Sequence, residues 1–339
     1  MTRPTTLDQL QRPLRDLRIS VIDKCNFRCP YCMPAEIFGA DYNFLHKSEL
    51  LSNEELTRLA QLFAQLGVTK LRITGGEPLL RPDLPDLIQR WVAIPGIEDV
   101  ALTTNAFYLR RDAQDLKAAG LHRLTVSLDA LDDETFRAMN GNRASVARVL
   151  DGLAAAQEAG FEEIKINCVV KRGVNEHAIV PLAGMFKAQG IIVRYIEYMD
   201  VGNLNGWQMA DVVTAEEILG QINAVYPLDP IPPNYVGEVA NRFRYRDGVG
   251  EVGVIASVTK PFCGNCTRAR VSSAGEYYTC LFGHHGTDLR TPLREGASDE
   301  TLLGLIGGVW QRRKDRYSEL RTSFTKIPAK RAEMYRLGG

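Results

Sequence analysis

The stretch LRISVIDKCNFRCPYC, residues 17–32, joins an apolar β-branched run directly to three closely spaced cysteines. The run is typical of a buried strand, and the loop after it carries Cys25, Cys29 and Cys32. A short loop lets three thiolates converge on one metal centre. A structural zinc site uses four protein ligands, whereas a four-iron cluster held by three cysteines keeps one iron open to a small molecule. The triple therefore favours an iron–sulfur cluster, with a zinc site completed by a distant ligand such as His46 as the alternative.

Strand candidates alternate with helix-period segments from about residue 17 to residue 199. The remaining strand candidates are KLRITGG from Lys70, DVALTTN from Asp99, RLTVSLD from Arg123, EIKINCVV from Glu163 and IIVRYIEYM from Ile191. The predicted helices cover residues 52–67, 112–120, 145–160 and 176–190, the first opening on a capping box of Ser52 and Glu55. Six strand–helix units imply a parallel sheet, and they are too few for a full eightfold barrel. The sequence thus predicts an α/β fold, an incomplete (β/α)6 TIM-like barrel that binds ligands at the carboxyl ends of its strands.

The alternation fades after Met199. A short helix near 215–224, a Pro-rich turn (YPLDPIPPN, 226–234), two hairpin-like runs with turns at 247–248 and 274–275, and a helix over 298–311 are expected. This pattern predicts a C-terminal α+β extension. The predicted organisation is an N-terminal arm (1–16), a partial barrel (17–200) and a C-terminal domain (201–339) that ends in a Gly-Gly tail.

Composition narrows the classes of protein. Hydrophobic residues make up 45% of the 339 residues, and Lys plus Arg equals Asp plus Glu at 41 each. These values exclude disorder as the main state, and a neutral chain has little long-range attraction for nucleic acid or an anionic membrane. The absence of a long apolar run and of a signal-like N-terminus predicts a cytoplasmic protein. In that reducing compartment the six cysteines that form two clusters of three indicate metal ligation rather than disulfides, and the seventh, Cys168, is predicted to be an inert buried thiol.

A second cysteine triple lies in PFCGNCTRARVSSAGEYYTCLF, residues 261–282. Cys263 and Cys266 form a Cys-x2-Cys pair on a Gly-containing turn, and Cys280 ends a hairpin strand that can fold back beside them. Again there are three cysteines rather than four. A zinc ribbon completed by His284 or His285 is the alternative.

The first triple, together with ITGGEP at residues 73–78, resembles the radical S-adenosylmethionine superfamily. The resemblance implies a 4Fe-4S cluster on the three cysteines and S-adenosyl-L-methionine bound to its open iron, from which a 5'-deoxyadenosyl radical is released. The residues that the resemblance implies as S-adenosylmethionine contacts are Tyr31, Gly76, Ser127 and Met199, with Arg194 nearby. Hydroxyls at strand ends, by themselves, equally well cap the next helix.

Within that superfamily, nearly the whole chain resembles the GTP 3',8-cyclases, which catalyse the first step of molybdenum cofactor biosynthesis. The resemblance implies conversion of GTP to (8S)-3',8-cyclo-7,8-dihydroguanosine 5'-triphosphate, with hydrogen taken from the ribose 3' carbon. It also implies a second 4Fe-4S cluster on the second triple, facing the guanine base, so that the C-terminal α+β extension (201–339) binds a cluster and carries the GTP site. The implied GTP contacts are Arg18, Arg72, Thr103, Lys165, Arg268, Ala269 and Arg270. Gly338 and Gly339, the C-terminal tail, are implied to assist catalysis.

The arginines suit a triphosphate on chemical grounds as well. Guanidinium groups form paired hydrogen bonds with phosphate oxygens. Because successive side chains of a strand point to opposite faces, Arg268 and Arg270 would lie on the same face. Lys165, and less directly Lys70, could add positive charge. The sequence contains no GxxxxGK[ST] loop, which excludes a P-loop GTPase. The family often has Asn-Gly after the third strand, where this chain has Asn105-Ala106.

The expected partners are GTP, an external electron donor and the next, cyclic pyranopterin-forming, enzyme, without nucleic acid or membrane. The oligomeric state, a homodimer included, is open, as is the identity of the donor. Two other functions compete: a radical enzyme acting on a peptide, and a non-catalytic scaffold with two zinc sites. Peptide-modifying relatives typically carry more cysteines after the barrel than the three found here.

Overall fold

The computed structural model describes residues 5–321 and 331–338 of the chain. Within those residues twelve strands form one sheet. They are β1 (Asp16–Ser20), β2 (Lys70–Thr74), β3 (Asp99–Thr104), β4 (Arg123–Ser127), β5 (Ile164–Val170), β6 (Ile192–Glu197), β7 (Leu228–Ile231), β8 (Asn241–Tyr245), β9 (Glu251–Ile255), β10 (Arg268–Val271), β11 (Glu276–Tyr278) and β12 (Thr287–Asp288). The helices are α1 (Asn53–Gln65), α2 (Leu84–Val92), α3 (Leu109–Ala118), α4 (Asp133–Asn140), α5 (Val146–Glu158), α6 (Ile179–Lys187), α7 (Ala215–Val225), α8 (Arg290–Arg294), α9 (Asp299–Gln311), α10 (Tyr317–Leu320) and α11 (Met334–Leu337).

The first six strands run parallel and lie side by side in chain order, from β1 to β6. This arrangement confirms the predicted incomplete α/β barrel. Its strands alternate buried residues with half-buried ones that face the barrel interior, most regularly in β5. On the outer side the helices cover the sheet with a continuous apolar layer that includes Phe63, Trp91 and Trp310.

Local signals set most helix limits as predicted. The capping box of Ser52 and Glu55 opens α1, and Ser145 and Ser298 cap α5 and α9. The helix predicted over 112–120 corresponds to α3, and its predicted start at Asp112 is wrong. The buried residues Leu109, Ala113 and Leu116 form one apolar face, so the helix begins about one turn earlier, at Leu109. Over 176–190 the first turn is a 3₁₀ helix and the α-helix runs only from Ile179 to Lys187. Helices α2 and α4 were not predicted.

The strands after residue 200 extend the same sheet at both edges. β9 pairs with β6 and β10 pairs with β1, both parallel, while β8–β9 and β10–β11 are the predicted antiparallel hairpins. The predicted Pro-rich turn is wrong for residues 228–231, which form β7. Pro230 is tolerated there because β7 is the outermost strand and needs N–H donors on one side only. The division at residue 200 stays a prediction.

The N-terminal arm lies against the body of the protein. Leu14 is fully buried, and the Thr6 and Leu14 backbones hydrogen-bond to each other as the arm turns back on itself. Among the helices of the described residues, none is both long and apolar enough to cross a bilayer.

Candidate active site

A cavity inside the barrel collects most of the predicted nucleotide-binding residues and the second cysteine triple. It encloses about 1030 Å³ of space, counting its open mouth. The predicted residues that line it are Arg18, Arg72, Thr103, Arg194, Met199, Cys263, Cys266, Arg268, Arg270 and Cys280. Met199 lies two residues beyond the end of β6 rather than at its last position.

Three arginines stand side by side across neighbouring strands. The parallel register places Arg18 of β1 between Arg270 of β10 and Arg72 of β2, so the three side chains emerge on one face. Burial and the neighbouring arginines lower the pKa of Arg18 well below its ordinary value and lower that of Arg270 to about 10. Arg194 shows the same effect, with a pKa lowered to about 9. A polyanion placed here would relieve this repulsion and form charge-assisted hydrogen bonds.

The hydrogen-bond partners that the structure gives these arginines are neutral. Arg72 donates to Thr103 Oγ1 at 3.4 Å and to Thr125 Oγ1 at 3.2 Å. Arg268 donates to the Gly237 carbonyl at 3.3 Å, and Arg270 donates to the Gly338 carbonyl at 3.3 Å. These contacts orient the guanidinium groups but neutralise none of their charge. The cavity is therefore a strongly positive site inside a chain with no net charge.

Lys165 lines a second, smaller cavity at the amino ends of the strands. This cavity encloses about 640 Å³ and shares Arg18, Arg72, Arg194 and Arg268 with the larger one. Burial and the charge of Arg194 lower the pKa of Lys165 to about 8. Lys70 lies in the same cavity, 3.2 Å above the ring of Tyr235. The shared arginines connect the two cavities, so a long anion can contact groups in both.

The second cysteine triple forms one wall of the larger cavity. Cys263 begins a 3₁₀ turn, Cys266 ends it, and Cys280 follows β11. Burial alone would raise the pKa of Cys266, but the charges of Arg268 and Arg313 and hydrogen bonds to both residues lower it to about 7. Burial raises the pKa of Cys280 to about 12. One thiol of the triple is thus prepared for ionisation by its arginine neighbours.

The first cysteine triple lies outside the lining of both cavities. Burial raises the pKa of all three thiols, and Cys29 is raised further by Cys25 and Cys32, which share its surroundings. The Cys25 sulfur accepts a hydrogen bond from the Phe27 N–H at 3.3 Å. Three soft donors with an N–H aimed at one sulfur match the chemistry of an iron–sulfur ligand set.

Single-ion sites are a different matter. Among residues 5–321 and 331–338, no group of three or more His, Cys, Asp or Glu side chains is arranged to hold one metal ion. His46, His284 and His285, the alternative zinc ligands, belong to no such group. The same holds for the two cysteine triples, so this finding does not distinguish a zinc site from a cluster.

The segment that follows β2 packs tightly against the first cysteine loop. A Cβ on Gly76 would lie 2.2 Å from the Lys24 carbonyl oxygen, so only glycine permits this approach. Buried Glu77 accepts hydrogen bonds from Thr104 Oγ1 and the Asn105 N–H, both at 2.7 Å. These contacts fix the end of β2 relative to the loop that carries Cys25.

Tyr31 and Ser127 approach the carboxyl edge of the sheet from different elements. The Tyr31 hydroxyl donates to Asp129 Oδ2 at 2.8 Å, and burial raises the pKa of Asp129 to about 6. Ser127 is the last residue of β4, beside Asn167, which lines the larger cavity. Cys168, the next residue, is fully buried as predicted, and burial raises its pKa well above the ordinary value.

The C-terminal segment connects the first triple to the arginines. Tyr335 packs in an apolar cluster with Cys25 and Cys32, while Met334 lines the larger cavity. Gly338 accepts the hydrogen bond from Arg270 described above, and a Cβ on Gly338 would lie 1.7 Å from Thr74 Oγ1. The tail is therefore inside the barrel. Gly339, also predicted to assist catalysis, lies outside the described residues.

Several residues of the site were not predicted as site residues. Asp129 lies two residues after Ser127 in TVSLD, and Glu77 directly follows Gly76 in GGEP. A carboxylate just after a predicted strand was the sequence signal that could have identified both. Met334 and Arg313 line the larger cavity from segments with no motif. No local pattern marks them, because only the fold brings them there.

Comparisons with known proteins agree with this geometry. A family model described as the Radical SAM superfamily matches residues 19–186, and one described as Molybdenum Cofactor Synthesis C matches residues 191–319. The chain is 55% identical to the GTP 3',8-cyclase of Acidothermus cellulolyticus over 95% of this chain and 90% of that one. It is 51% identical to the GTP 3',8-cyclase of Xanthomonas axonopodis pv. citri over the full length of both chains.

A solved structure gives independent support for the fold. Streptococcus suis SuiB bound to S-adenosylmethionine superposes with a TM-score of 0.61, covering 87% of this chain and 68% of that one. At 17% sequence identity this likeness shows the fold alone. The predicted fold class and family resemblance are both confirmed.

Proposed function

Because the chain belongs to the GTP 3',8-cyclases of the radical S-adenosylmethionine superfamily, we propose that the larger cavity binds GTP for conversion to (8S)-3',8-cyclo-7,8-dihydroguanosine 5'-triphosphate. This reaction is a step of molybdenum cofactor synthesis. The observation that carries the proposal is the row of Arg270, Arg18 and Arg72 on one face of the sheet, in a cavity also walled by three cysteines. The row supplies the positive charge that a triphosphate needs, and the cysteines line another part of the same cavity.

Two 4Fe-4S clusters and S-adenosylmethionine are the groups that the family implies. Cys25, Cys29 and Cys32 would hold the first cluster, and Cys263, Cys266 and Cys280 the second. When bound, these groups supply the one-electron chemistry that starts the cyclisation. The donor sets fit: both are three thiols, with an N–H on Cys25 and arginine charge beside Cys266 to stabilise the thiolates.

The chain's own residues bind and orient the substrate. Arg18, Arg72, Arg268 and Arg270 would bind the phosphates. Thr103, which lies beside Arg72 on the next strand, and the backbone of Ala269, between Arg268 and Arg270, would complete the site. Lys165 lines the adjoining cavity, which shares four arginines with the larger one, and would add positive charge for the phosphates. Because the guanidinium groups of Arg72, Arg268 and Arg270 are already oriented by neutral partners, little of their side-chain entropy is lost when the anion binds.

A second set of residues is proposed to position S-adenosylmethionine. Gly76 permits close approach at the end of β2, and Tyr31, Ser127 and Met199 surround the same edge of the sheet. The hydrogen bond from Tyr31 to Asp129 holds the ring of Tyr31 in place. The tail at Gly338 is proposed to close the barrel beside Arg270 and exclude water from the reacting atoms.

The test is anaerobic incubation of the reconstituted protein with S-adenosylmethionine, GTP and a strong reductant, followed by chromatography and mass spectrometry. Cyclisation is an isomerisation, so the expected product has the mass of GTP at a new retention time, together with 5'-deoxyadenosine. Cys29→Ala should abolish S-adenosylmethionine cleavage. Cleavage without a new nucleotide would refute GTP as substrate, and neither product in iron-loaded protein would refute radical chemistry.

Substrate binding has its own test. The double variant Arg268→Ala/Arg270→Ala should weaken GTP binding at least about 100-fold, since each charge-assisted hydrogen bond contributes about 1.5–3 kcal/mol. Arg110→Ala is the matched control, because this exposed arginine pairs with Asp151 and Glu158 on the outer helices. Equal GTP affinity in the double variant and the control would move the substrate away from this cavity.

An external electron donor and hand-over of the product to the next, cyclic pyranopterin-forming, enzyme belong to the same proposal. Both follow from the chemistry, since the clusters must be reduced from outside and the product is an intermediate.

A further inference from the structure

The N-terminal arm places a buried carboxylate between two buried arginines. Asp8, Arg12 and Arg313 are 3%, 2% and 4% exposed. Asp8 Oδ2 accepts from Arg12 Nε at 2.6 Å and lies 3.4 Å from Arg313 Nη1, while Asp8 Oδ1 accepts from the Arg12 N–H at 2.9 Å. The arm and the residue after α9 are thereby joined through one carboxylate.

Both arginines continue from this carboxylate to the backbone of the second cysteine triple. Arg12 Nη1 donates to the Cys263 carbonyl, and Arg313 Nη1 donates to the Cys266 carbonyl, each at 2.7 Å. The third cysteine is reached through Asp315, whose carbonyl accepts from Arg12 Nη1 at 2.8 Å. The Asp315 carboxylate accepts from Thr279 Oγ1, immediately before Cys280, at 2.5 Å.

The network is poorly explained as a source of stability alone. Two guanidinium groups share one buried carboxylate, Arg12 Nη2 has no hydrogen-bond partner in the described chain, and Arg313 Nε has only an ion pair with Asp315 Oδ2 at 3.4 Å. Buried charges with incomplete pairing recover little of their desolvation cost. Trp310 packs against both arginines. Its ring centre lies 4.5 Å from the Arg313 guanidinium carbon, and its Nε1–H donates a hydrogen bond to the Arg12 carbonyl.

We propose that Asp8, Arg12 and Arg313 form a clamp that positions the second cysteine triple for its cluster and raises the cluster's reduction potential. The inference rests on the proposed function, in which this triple holds an iron–sulfur cluster. Hydrogen bonds to the Cys263 and Cys266 carbonyls set the separation of the ligands. The charge of Arg313, which is buried beside Cys266 and offset only in part by Asp8 and the partly exposed Asp315, stabilises the more negative, reduced cluster, because a fixed charge in a medium of low dielectric acts strongly.

The experiment isolates the second cluster. In a chain carrying Cys25→Ala, Cys29→Ala and Cys32→Ala, the cluster is reconstituted anaerobically, its iron is counted, and its midpoint potential is measured by redox titration followed by electron paramagnetic resonance. Arg313→Gln should shift the potential downward. Asp8→Asn, which removes a negative charge from the same group, should shift it upward. Loss of packing alone would not give shifts of opposite sign.

Conservative variants separate position from charge. Arg12→Lys keeps the charge but loses the fork that joins Asp8, Cys263 and Asp315, so iron retention should fall while the potential of the remaining cluster changes little. Arg12→Gln should lose iron to a greater extent. Arg110→Gln, on the outer face of α3, is the control and should leave both readouts unchanged.

Each outcome decides between separate conclusions. If the parent chain, which carries the three alanine substitutions at the first triple, forms no cluster, the second cluster of the proposed function is refuted. If it forms one and all clamp variants keep the parent iron content and potential, the clamp is refuted. Thermal unfolding of the apo variants identifies any that fail to fold. If either Asp8→Asn or Arg313→Gln does not fold, the other variant still tests the predicted direction of the shift in midpoint potential.

Discussion

Gly338→Ala tests the role of the docked tail with a single methyl group. Gly338 has φ 66° and ψ 120°, a backbone conformation that side-chain-bearing residues rarely adopt. An added Cβ would lie 1.7 Å from Thr74 Oγ1 and 2.3 Å from Thr74 Cβ. Thr74 is buried and its hydroxyl donates to the Ile19 carbonyl at 3.3 Å, so it has no room to move aside. The tail must therefore move instead.

The size of the effect follows from the strain and the lost hydrogen bond. A residue forced into such a conformation costs about 1–3 kcal/mol, which lowers the equilibrium constant for docking of the tail by about 5- to 150-fold. Displacement also removes the Arg270 hydrogen bond to the Gly338 carbonyl. We expect kcat for cyclisation to fall by about the same factor as the docked fraction. The unfolding free energy should change little, because a terminal segment can undock without opening the barrel.

Two assays check this prediction. Product formation at saturating GTP gives kcat, and amide hydrogen exchange over 334–338 reports undocking. Gly160→Ala is the matched control, since Gly160 also has positive φ (83°) but no atom within 4 Å of its added Cβ. The control should lose about 1 kcal/mol of stability and no activity. Unchanged kcat together with unchanged exchange in Gly338→Ala would refute the reasoning.

Three further predictions concern the stability and metal content of the chain. Burial raises the pKa of Glu77 to about 7, so the folded protein favours the protonated carboxyl. The unfolding free energy of the apo protein should therefore fall by about 3 kcal/mol as the pH rises from about 4 to above 7. Denaturant unfolding at several pH values checks this, and Glu77→Gln should show a weaker dependence on pH. Gly152→Ala should destabilise the protein by about 1–3 kcal/mol, because the added Cβ would lie 2.6 Å from the Ala106 carbonyl oxygen. Gly220→Ala is the control: its added Cβ meets open space, so it should stabilise the protein by up to about 1 kcal/mol. Equal Tm shifts in the two variants would contradict the prediction. Cys168→Ala should keep full iron loading, and a loss of iron on analysis would show that this thiol is a ligand.

The parallel barrel and both cysteine triples were predictable from sequence because their signals are local. Strand propensity, helix caps and cysteine spacing each act over a few residues, and the prediction failed where a longer-range contact decided the outcome. The LDPI segment reads as a turn from its prolines, but pairing with β8 at the sheet edge makes it a strand. Ala106 stands where glycine is common in the family, and its φ of 60° shows that the turn keeps its shape at some strain.

The residues and their order therefore specify the list of chemical groups and the succession of elements that carry them. Tertiary structure alone decided which groups meet. Parallel register placed Arg18 between Arg72 and Arg270, separated in the chain by tens to hundreds of residues. The same packing brought Asp8 of the arm to Arg313 and returned Gly338 to Arg270. Such encounters depend on the closure of the whole sheet and the burial of its core, and no local pattern of residues encodes them.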